Sequence, residues 1–139
     1  MLLNNRITPE ELTVRDIAWN KVFTYGSNEA GINGAGAAYF AEQELDAKHG
    51  MGFGPTSLTF AIPTKNWGLR TLGLATIGFY VGRFIRFAER YPERIFYVTK
   101  IGCGLAGYTP EQIAPLFRDA VDIPNIYLPQ EFWNIINKQ

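Results

Sequence analysis

The chain has 139 residues, of which 47% are apolar, and its 13 basic side chains balance its 13 acidic ones. No apolar run approaches the roughly 18 residues of a membrane-spanning helix, and the charge balance disfavours a protein that binds nucleic acid as a polyanion. One histidine, His49, and one cysteine, Cys103, exclude multi-histidine zinc sites, four-cysteine zinc sites and an internal disulfide. The start of the chain also lacks the features of a signal peptide. We therefore expect one cytoplasmic domain, residues 1–139, with no metal, cofactor, nucleic acid or membrane.

The first third of the chain predicts a helix, a strand, a glycine loop and a second helix. Thr8 as N-cap, Pro9 and Glu11 form a capping-box pattern, so residues 1–20 are expected to be an N-terminal helical extension. The β-branched and aromatic residues 21–25 predict a strand that stops at Gly26. A glycine-rich stretch over residues 26–38 then leads into good helix formers over residues 37–48.

The remaining elements alternate in the same way. Residues 57–62 predict a strand that Pro63 ends, because proline cannot donate to a central ladder. Residues 94–99 and 125–128 predict two more strands, and the apolar tail 129–139 predicts a docked helix that either completes the core or forms a dimer face. Helical spacing predicts a helix with its apolar face formed by Leu74, Ile77, Val81, Phe84, Ile85 and Ala88. Thr109, Pro110 and Gln112 predict the capped start of a helix that runs to about Ala120.

Strands that alternate with helices indicate an α/β fold with three layers, a mostly parallel central sheet and helices on both faces. Ligands of such sheets bind at the carboxyl ends of the strands. The loops expected there are residues 26–36, 63–73 and 101–108.

The loops carry the residues that point to chemistry. Gly31, Gly34 and Gly36 leave backbone N–H groups open to a diphosphate at a helix N-terminus. The dinucleotide-binding fingerprint is incomplete, since Tyr39 occupies the place of its third small residue, and no P-loop is present. The same glycines also suit tight turns and helix–sheet packing, so both interpretations stay open.

The other two loops add charge and a second backbone cradle. Gly102, Gly104 and Gly107 follow a strand, as the first glycine group does, so two cradles could grip one ligand. Cys103 between them is either a nucleophile, alone or with His49, or a small packing residue. In the middle loop, Lys65 and Arg70 either suit phosphate or ribose or are simply solvated. Trp67 either suits a base or covers the end of the sheet.

Three segments resemble the macrodomain family, and most closely its branch of terminal ADP-ribose glycohydrolases, as a phage or bacterial member. They are Ser27-Asn28-Glu29 through Gly34-Ala35-Gly36-Ala37, Phe60-Ala61-Ile62-Pro63-Thr64-Lys65, and Val98-Thr99-Lys100-Ile101-Gly102-Cys103-Gly104-Leu105. The resemblance implies that Lys65 is the catalytic residue that attacks the ribose. It also places Ala106 where the branch has a catalytic aspartate, and leaves Asp16 as a loose candidate for the aspartate that reads adenine.

The resulting hypothesis is a small-molecule site for ADP-ribose or a related nucleotide-derived ligand, with ADP-ribosyl hydrolysis left open. The alternatives are a module that sequesters a nucleotide signal without changing it, and an α/β interaction domain with structural glycines; a homo-oligomer is left open. The expected ligand-binding residues are Gly26, Ser27, Asn28, Gly31, Gly34, Ala35, Gly36, Trp67, Arg70, Gly102, Cys103, Gly104, Leu105, Ala106, Gly107 and Tyr108.

Overall fold

The computed structural model describes residues 5–138, which form an α/β fold around a five-stranded sheet. The strands are β1 Lys21–Asn28, β2 Gly54–Pro55, β3 Thr59–Lys65, β4 Ile95–Val98 and β5 Ile126–Tyr127. Their order across the sheet is β2-β3-β1-β4-β5. The pairs β1–β3, β1–β4 and β4–β5 are parallel and only β2–β3 is antiparallel, which confirms the mostly parallel sheet.

Helices cover both faces of this sheet, as the sequence predicts. The α-helices are α1 Gly36–Glu44, α2 Leu74–Arg90, α3 Pro110–Ile113 and α4 Gln130–Asn137. Two 3-10 helices, Val14–Asp16 and Ala114–Asp122, complete the set. Within residues 5–138, no helix combines the length and the hydropathy needed to cross a membrane.

Strand alternation divides the interior into two cores, because successive side chains point to opposite faces of a sheet. Phe23 and Tyr25 of β1 join Ala61 of β3 under α1. The intervening positions point to the other face, where Val22, Phe60 and Phe96 pack against α2 and the C-terminal helices. Phe60 is central there, with its ring 5.0 Å from that of Phe84 and 5.2 Å from that of Phe87.

Two patterns that depend on near neighbours in sequence are confirmed, the apolar face of α2 and the capping box at Thr109. In α2 the predicted apolar positions Ile77, Val81, Phe84, Ile85 and Ala88 are all buried, whereas Leu74 is half-buried. The Thr109 hydroxyl accepts a hydrogen bond from the Gln112 N–H at 3.3 Å, and the Gln112 side chain accepts one from the Thr109 N–H at 3.0 Å, so the second capping box forms.

The C-terminal elements follow the prediction with one local change. The helix after Thr109 keeps α-geometry for one turn and then continues as the 3-10 helix Ala114–Asp122, which carries a proline in its first turn. Proline removes a backbone donor there, which disfavours α-helical hydrogen bonding. The predicted terminal helix is confirmed as α4, and Phe132, Trp133 and Ile136 are buried in the core.

The predicted N-terminal helix at Thr8 is wrong, and residues 1–4 of the predicted extension lie outside the described residues. Thr8 donates its N–H to the Leu128 carbonyl at 2.9 Å, and Ile7 bridges Leu128 in parallel, so this segment extends the sheet beside β5. The capped turn forms five residues later, where Asp16 accepts from the Thr13 N–H at 2.7 Å. Pairing with a distant strand therefore outweighs the local helix-start pattern.

The predicted strand ends at Gly26 and Pro63 are also wrong, since β1 continues to Asn28 and β3 continues to Lys65. On its outer edge β3 pairs with the unpredicted β2 only at Phe60 and Ala61. Beyond those residues the outer neighbour is Thr71, which bridges Lys65 from the following loop. Pro63 thus lies between these two pairings, where no neighbouring strand on the outer edge needs a backbone N–H from it.

Arg6 ties the N-terminal segment to the C-terminal elements. Its guanidinium donates to the carbonyls of Ile123, Ile126 and Val121, the last two at 2.9 and 2.7 Å. The same group lies 5.0 Å from the centre of the Trp133 ring, and the Trp133 indole N–H donates to the Arg6 carbonyl at 2.7 Å. Backbone and side chain of Arg6 therefore hold the same edge of the molecule.

Replacing Arg6 with alanine is expected to lower the free energy of unfolding by about 3 kcal/mol, because three carbonyls lose a charged donor at roughly 1 kcal/mol each. Urea unfolding followed by circular dichroism measures this change. The exposed Arg118 provides the control, since its alanine variant is expected to remain within about 0.5 kcal/mol of the parent. Equal stability of the two variants would contradict the role assigned to Arg6.

Candidate functional site

The order of the strands creates a crevice between β1 and β4. The chain leaves β1 through α1 toward β3, whereas it leaves β4 through α3 toward β5 on the opposite side. Loops that diverge from two neighbouring parallel strands leave a gap at the carboxyl ends, which is where α/β sheets bind ligands. A cleft of about 440 Å³ lies at this place.

The cleft brings together most of the predicted site residues. Those that line it are Gly26, Ser27, Asn28, Gly34, Ala35, Gly36, Lys65, Gly102, Gly104, Leu105 and Ala106. The lining residues that sequence reasoning missed are Ile32, Ala37, Ala38, Thr64, Leu69, Thr99, Lys100 and Ile101. Thr99 is the last residue of a predicted strand and Lys100 directly follows it, and this position at a strand end is the signal that could have identified them.

Other predicted site residues do not line this cleft, namely Gly31, Trp67, Arg70, Cys103, Gly107 and Tyr108, and neither does Asp16. Trp67 and Arg70 are exposed on the loop after β3. Tyr108 lies behind the cleft and donates its hydroxyl to the Leu72 carbonyl at 2.7 Å. Asp16 is occupied in capping the first 3-10 helix.

Part of the first glycine loop serves the fold. A Cβ on Gly31 would lie 2.3 Å from the Met51 nitrogen, and one on Gly52 would lie 2.3 Å from the Asn28 carbonyl oxygen, so both glycines permit a close approach of two loops. Asn28 fixes the turn by donating to the Ile32 carbonyl at 2.8 Å and accepting from the Ile32 N–H at 3.0 Å. The structural interpretation of the glycines therefore holds at Gly31.

Other glycines face open space. A Cβ on Gly34 or on Gly104 would meet no heavy atom within 4 Å, and neither residue has a positive φ. Packing and backbone conformation therefore do not require glycine at these two positions. Both line the cleft, so the effect of the missing side chains is to keep the cleft open and its backbone accessible.

Helix α1 begins at the cleft without a side-chain cap. Its N-cap residue is Ala35, which has no acceptor group, and the first-turn residues Gly36, Ala37 and Ala38 line the cleft. First-turn N–H groups have no partner within their helix, and the helix dipole adds partial positive charge there. An anion in the cleft would supply acceptors for these groups.

Among the described residues that line the cleft, the charged side chains are those of two lysines. Lys65 ends β3, and Lys100 follows β4 with its ammonium 3.2 Å from the Glu131 carboxylate. That ion pair is about half exposed, so it contributes little and does not fix the lysine in place. Between the two lysines the lining is mostly backbone and small side chains, an arrangement that suits a phosphate-containing ligand.

The loop after β3 forms a tight hairpin that we call the Lys65–Thr71 hairpin. Lys65 and Thr71 form an antiparallel β-bridge, and the Asn66 N–H donates to the Arg70 carbonyl at 2.7 Å. The Thr71 hydroxyl donates to the Ala106 carbonyl at 3.0 Å, which joins the hairpin to the third loop. Leu69 of this hairpin is one of the residues that line the cleft.

A second cavity of about 910 Å³ adjoins the cleft. The two share Gly36, Ala37, Thr99 and Lys100. The second is otherwise lined by Phe23 of β1 and by residues of the N-terminal segment, α1 and the start of α4. Thr8 is one of its lining residues, and the Thr8 hydroxyl is buried without a hydrogen-bond partner among the described residues. A ligand longer than the cleft therefore has room to extend.

Cys103 is a half-buried residue beside the cleft. Its thiol lies 3.5 Å from the Ile101 carbonyl, and burial raises its pKa to about 11. A nucleophilic cysteine has a lowered pKa, so the environment favours the packing interpretation over the reactive one. No group of three or more metal-ligating side chains is found within residues 5–138.

The fold and the cleft define the class of this protein: it is an α/β domain with a ligand-sized cleft between β1 and β4, the neighbouring strands from which the chain leaves in opposite directions. No protein-family model, no curated protein and no solved structure matches this chain.

Alkylation of Cys103 by iodoacetamide at pH 8 is expected to be at least about 10-fold slower than that of an unperturbed cysteine, because a pKa raised to about 11 lowers the fraction of thiolate more than it increases the nucleophilicity of each thiolate. The rate should keep rising up to about pH 11. Mass spectrometry follows the reaction without ambiguity, since the chain has a single cysteine. Rapid labelling that levels off below pH 8 would restore the reactive interpretation.

Proposed function

We propose that this protein binds ADP-ribose or a closely related nucleotide diphosphate and holds it without cleaving it. The observation that carries the proposal is the cleft itself, where the two predicted glycine loops face each other beside Lys65 and Lys100. The resemblance of these segments to macrodomain loops names the ligand, and the geometry of the cleft supports a ligand of that chemistry.

Size and polarity agree with this ligand class. A volume of about 440 Å³ falls within the roughly 300–1,000 Å³ of small-molecule sites. A diphosphate between residues 26–36 and 101–108 would accept from the uncapped amides of α1 and lie near both lysines. The adjoining cavity gives the rest of a dinucleotide-sized molecule a place to lie.

Ala106 favours binding over turnover. It lines the cleft where the resembling glycohydrolases carry a catalytic aspartate, and an alanine methyl group can neither accept nor donate a proton. The function is then to sequester a nucleotide-derived signal, which we place in the cytoplasm. ADP-ribosyl hydrolysis is the second candidate, and the observation in its favour is that Lys65 lies in the cleft.

Gly104→Glu is expected to weaken ADP-ribose binding at least 30-fold, because the new carboxylate enters the cleft and repels phosphate. The fold should tolerate the change, since a Cβ at this position meets no heavy atom within 4 Å. Isothermal titration calorimetry with ADP-ribose, ADP, AMP and NAD measures the affinities. Gly73→Glu is the matched control, since Gly73 also faces open space but lies outside the cleft lining.

The parent protein and the Gly73→Glu variant are expected to bind ADP-ribose with equal affinity. If the parent binds none of the four nucleotides, the proposal is wrong and the open glycines belong to an interaction domain. If both glutamate variants lose binding equally, the effect is not local and the assignment of the cleft fails.

Lys65→Ala is expected to lower affinity for ADP-ribose about 5- to 10-fold, because the ligand loses one charged partner, and the loss should shrink as salt is added. The same samples, incubated with ADP-ribosylated protein and analysed by mass spectrometry, test for cleavage. We expect the parent to release no ADP-ribose. Release by the parent that disappears in Lys65→Ala would replace sequestration with hydrolysis.

A further inference from the structure

Leu69 has a backbone conformation that leucine rarely adopts. Its φ is 64°, and it is the one non-glycine residue with a positive φ within residues 5–138. The left-handed region brings the Cβ of an ordinary residue too close to the following carbonyl oxygen, so glycine or asparagine normally occupies it. Leucine at this position therefore costs folding free energy that a glycine would save.

The Lys65–Thr71 hairpin enforces this conformation. The Asn66 side-chain oxygen accepts from the N–H groups of Gly68 and Arg70 at 2.8 and 3.0 Å. The Leu69 N–H donates to the Asn66 carbonyl at 2.9 Å. The preceding residue, Gly68, does not have a positive φ. The hairpin therefore has a leucine at the position whose conformation favours glycine, and a glycine at the position before it. The backbone conformation at position 69 therefore does not explain why this residue is a leucine.

The position of Leu69 at the cleft offers an account. Leu69 lines the cleft although 46% of it is exposed. Two other exposed aliphatic residues, Ile32 and Leu105, line the same cleft from the other two loops, and 70% of Leu105 is exposed. Trp67 on the same hairpin is 72% exposed and does not line the cleft. Three loops thus each contribute an exposed aliphatic residue to the lining of a cleft whose charged lining residues are lysines.

We infer that Leu69 is a specificity-determining residue that packs on an uncharged ring of the ligand, next to the anionic group held by the glycine loops. This inference rests on the proposed function and extends it. The hairpin that carries Leu69 begins at Lys65, so the ring lies at the Lys65 end of the cleft. A sugar ring offers a C–H face that an aliphatic side chain can cover, whereas a terminal phosphate does not. The protein should therefore prefer ADP-ribose to ADP.

Calorimetric titration of ADP-ribose and ADP into the parent and three variants tests this inference. Leu69→Gly is expected to lower affinity for ADP-ribose about 5- to 20-fold and to leave affinity for ADP within about 2-fold, so the preference collapses. Leu69→Met, which keeps an apolar side chain of similar size, should keep the preference. Trp67→Ala is the matched control on the same hairpin and should change neither affinity.

Thermal melting of the ligand-free proteins separates ligand contact from folding. Leu69→Gly is expected to melt no lower than the parent, because it removes the unfavourable φ. If it does melt lower, Leu69→Asn takes its place, since asparagine tolerates the left-handed region but lacks the apolar group, and the same loss of preference is expected.

The outcomes distinguish the two proposals. If the parent binds neither nucleotide, the proposed function and this inference both fail. If the parent binds ADP-ribose and Gly104→Glu does not, but the variants without the leucine side chain retain the preference for ADP-ribose over ADP, the function stands and only the role of Leu69 is overturned. A parent that binds both nucleotides equally overturns it as well.

Discussion

The parallel pairing of β1 on both of its edges is the constraint on which the rest of the structure depends. A parallel neighbour cannot follow through a tight turn and needs a crossover, so β3 is reached through α1 on one face and β4 through α2 on the other. The two cores, the helices on both faces and the gap between β1 and β4 all follow from this arrangement. The strand topology thus determines where the cleft lies, and the residues of its loops determine which ligand it can bind.

Glycine has two different roles in the loop between β1 and α1. Gly31 adopts φ +70° and touches the backbone of the neighbouring loop, so the fold itself requires it. Gly34 has no positive φ and no close neighbour, and it lines the cleft. The same is true of Gly104 in the facing loop. The spacing of glycines in the sequence could not separate these roles, because the loop that touches Gly31 lies about twenty residues further along the chain.

The sequence predicted those features that near neighbours determine. The apolar face of α2 and the capping box at Thr109 need only contacts three or four residues away, and both are confirmed. The helix expected at Thr8 failed because Leu128, far along the chain, competes for the same backbone. Most of the candidate site was found because strand ends meet at one edge, whereas Leu69 was missed because no local motif marks a strained leucine.

The bonds of Arg6 also have a consequence for the order of folding. Its partners lie 115 to 127 residues further along the chain, so during synthesis Arg6 lacks these partners until the last residues of the chain have been made. Contacts of such long sequence separation form late, because the chain must close a large loop before they contribute. The inner strands and α2 can assemble first, and the Arg6 segment then covers the edge of β5, a strand that is itself made near the end of synthesis.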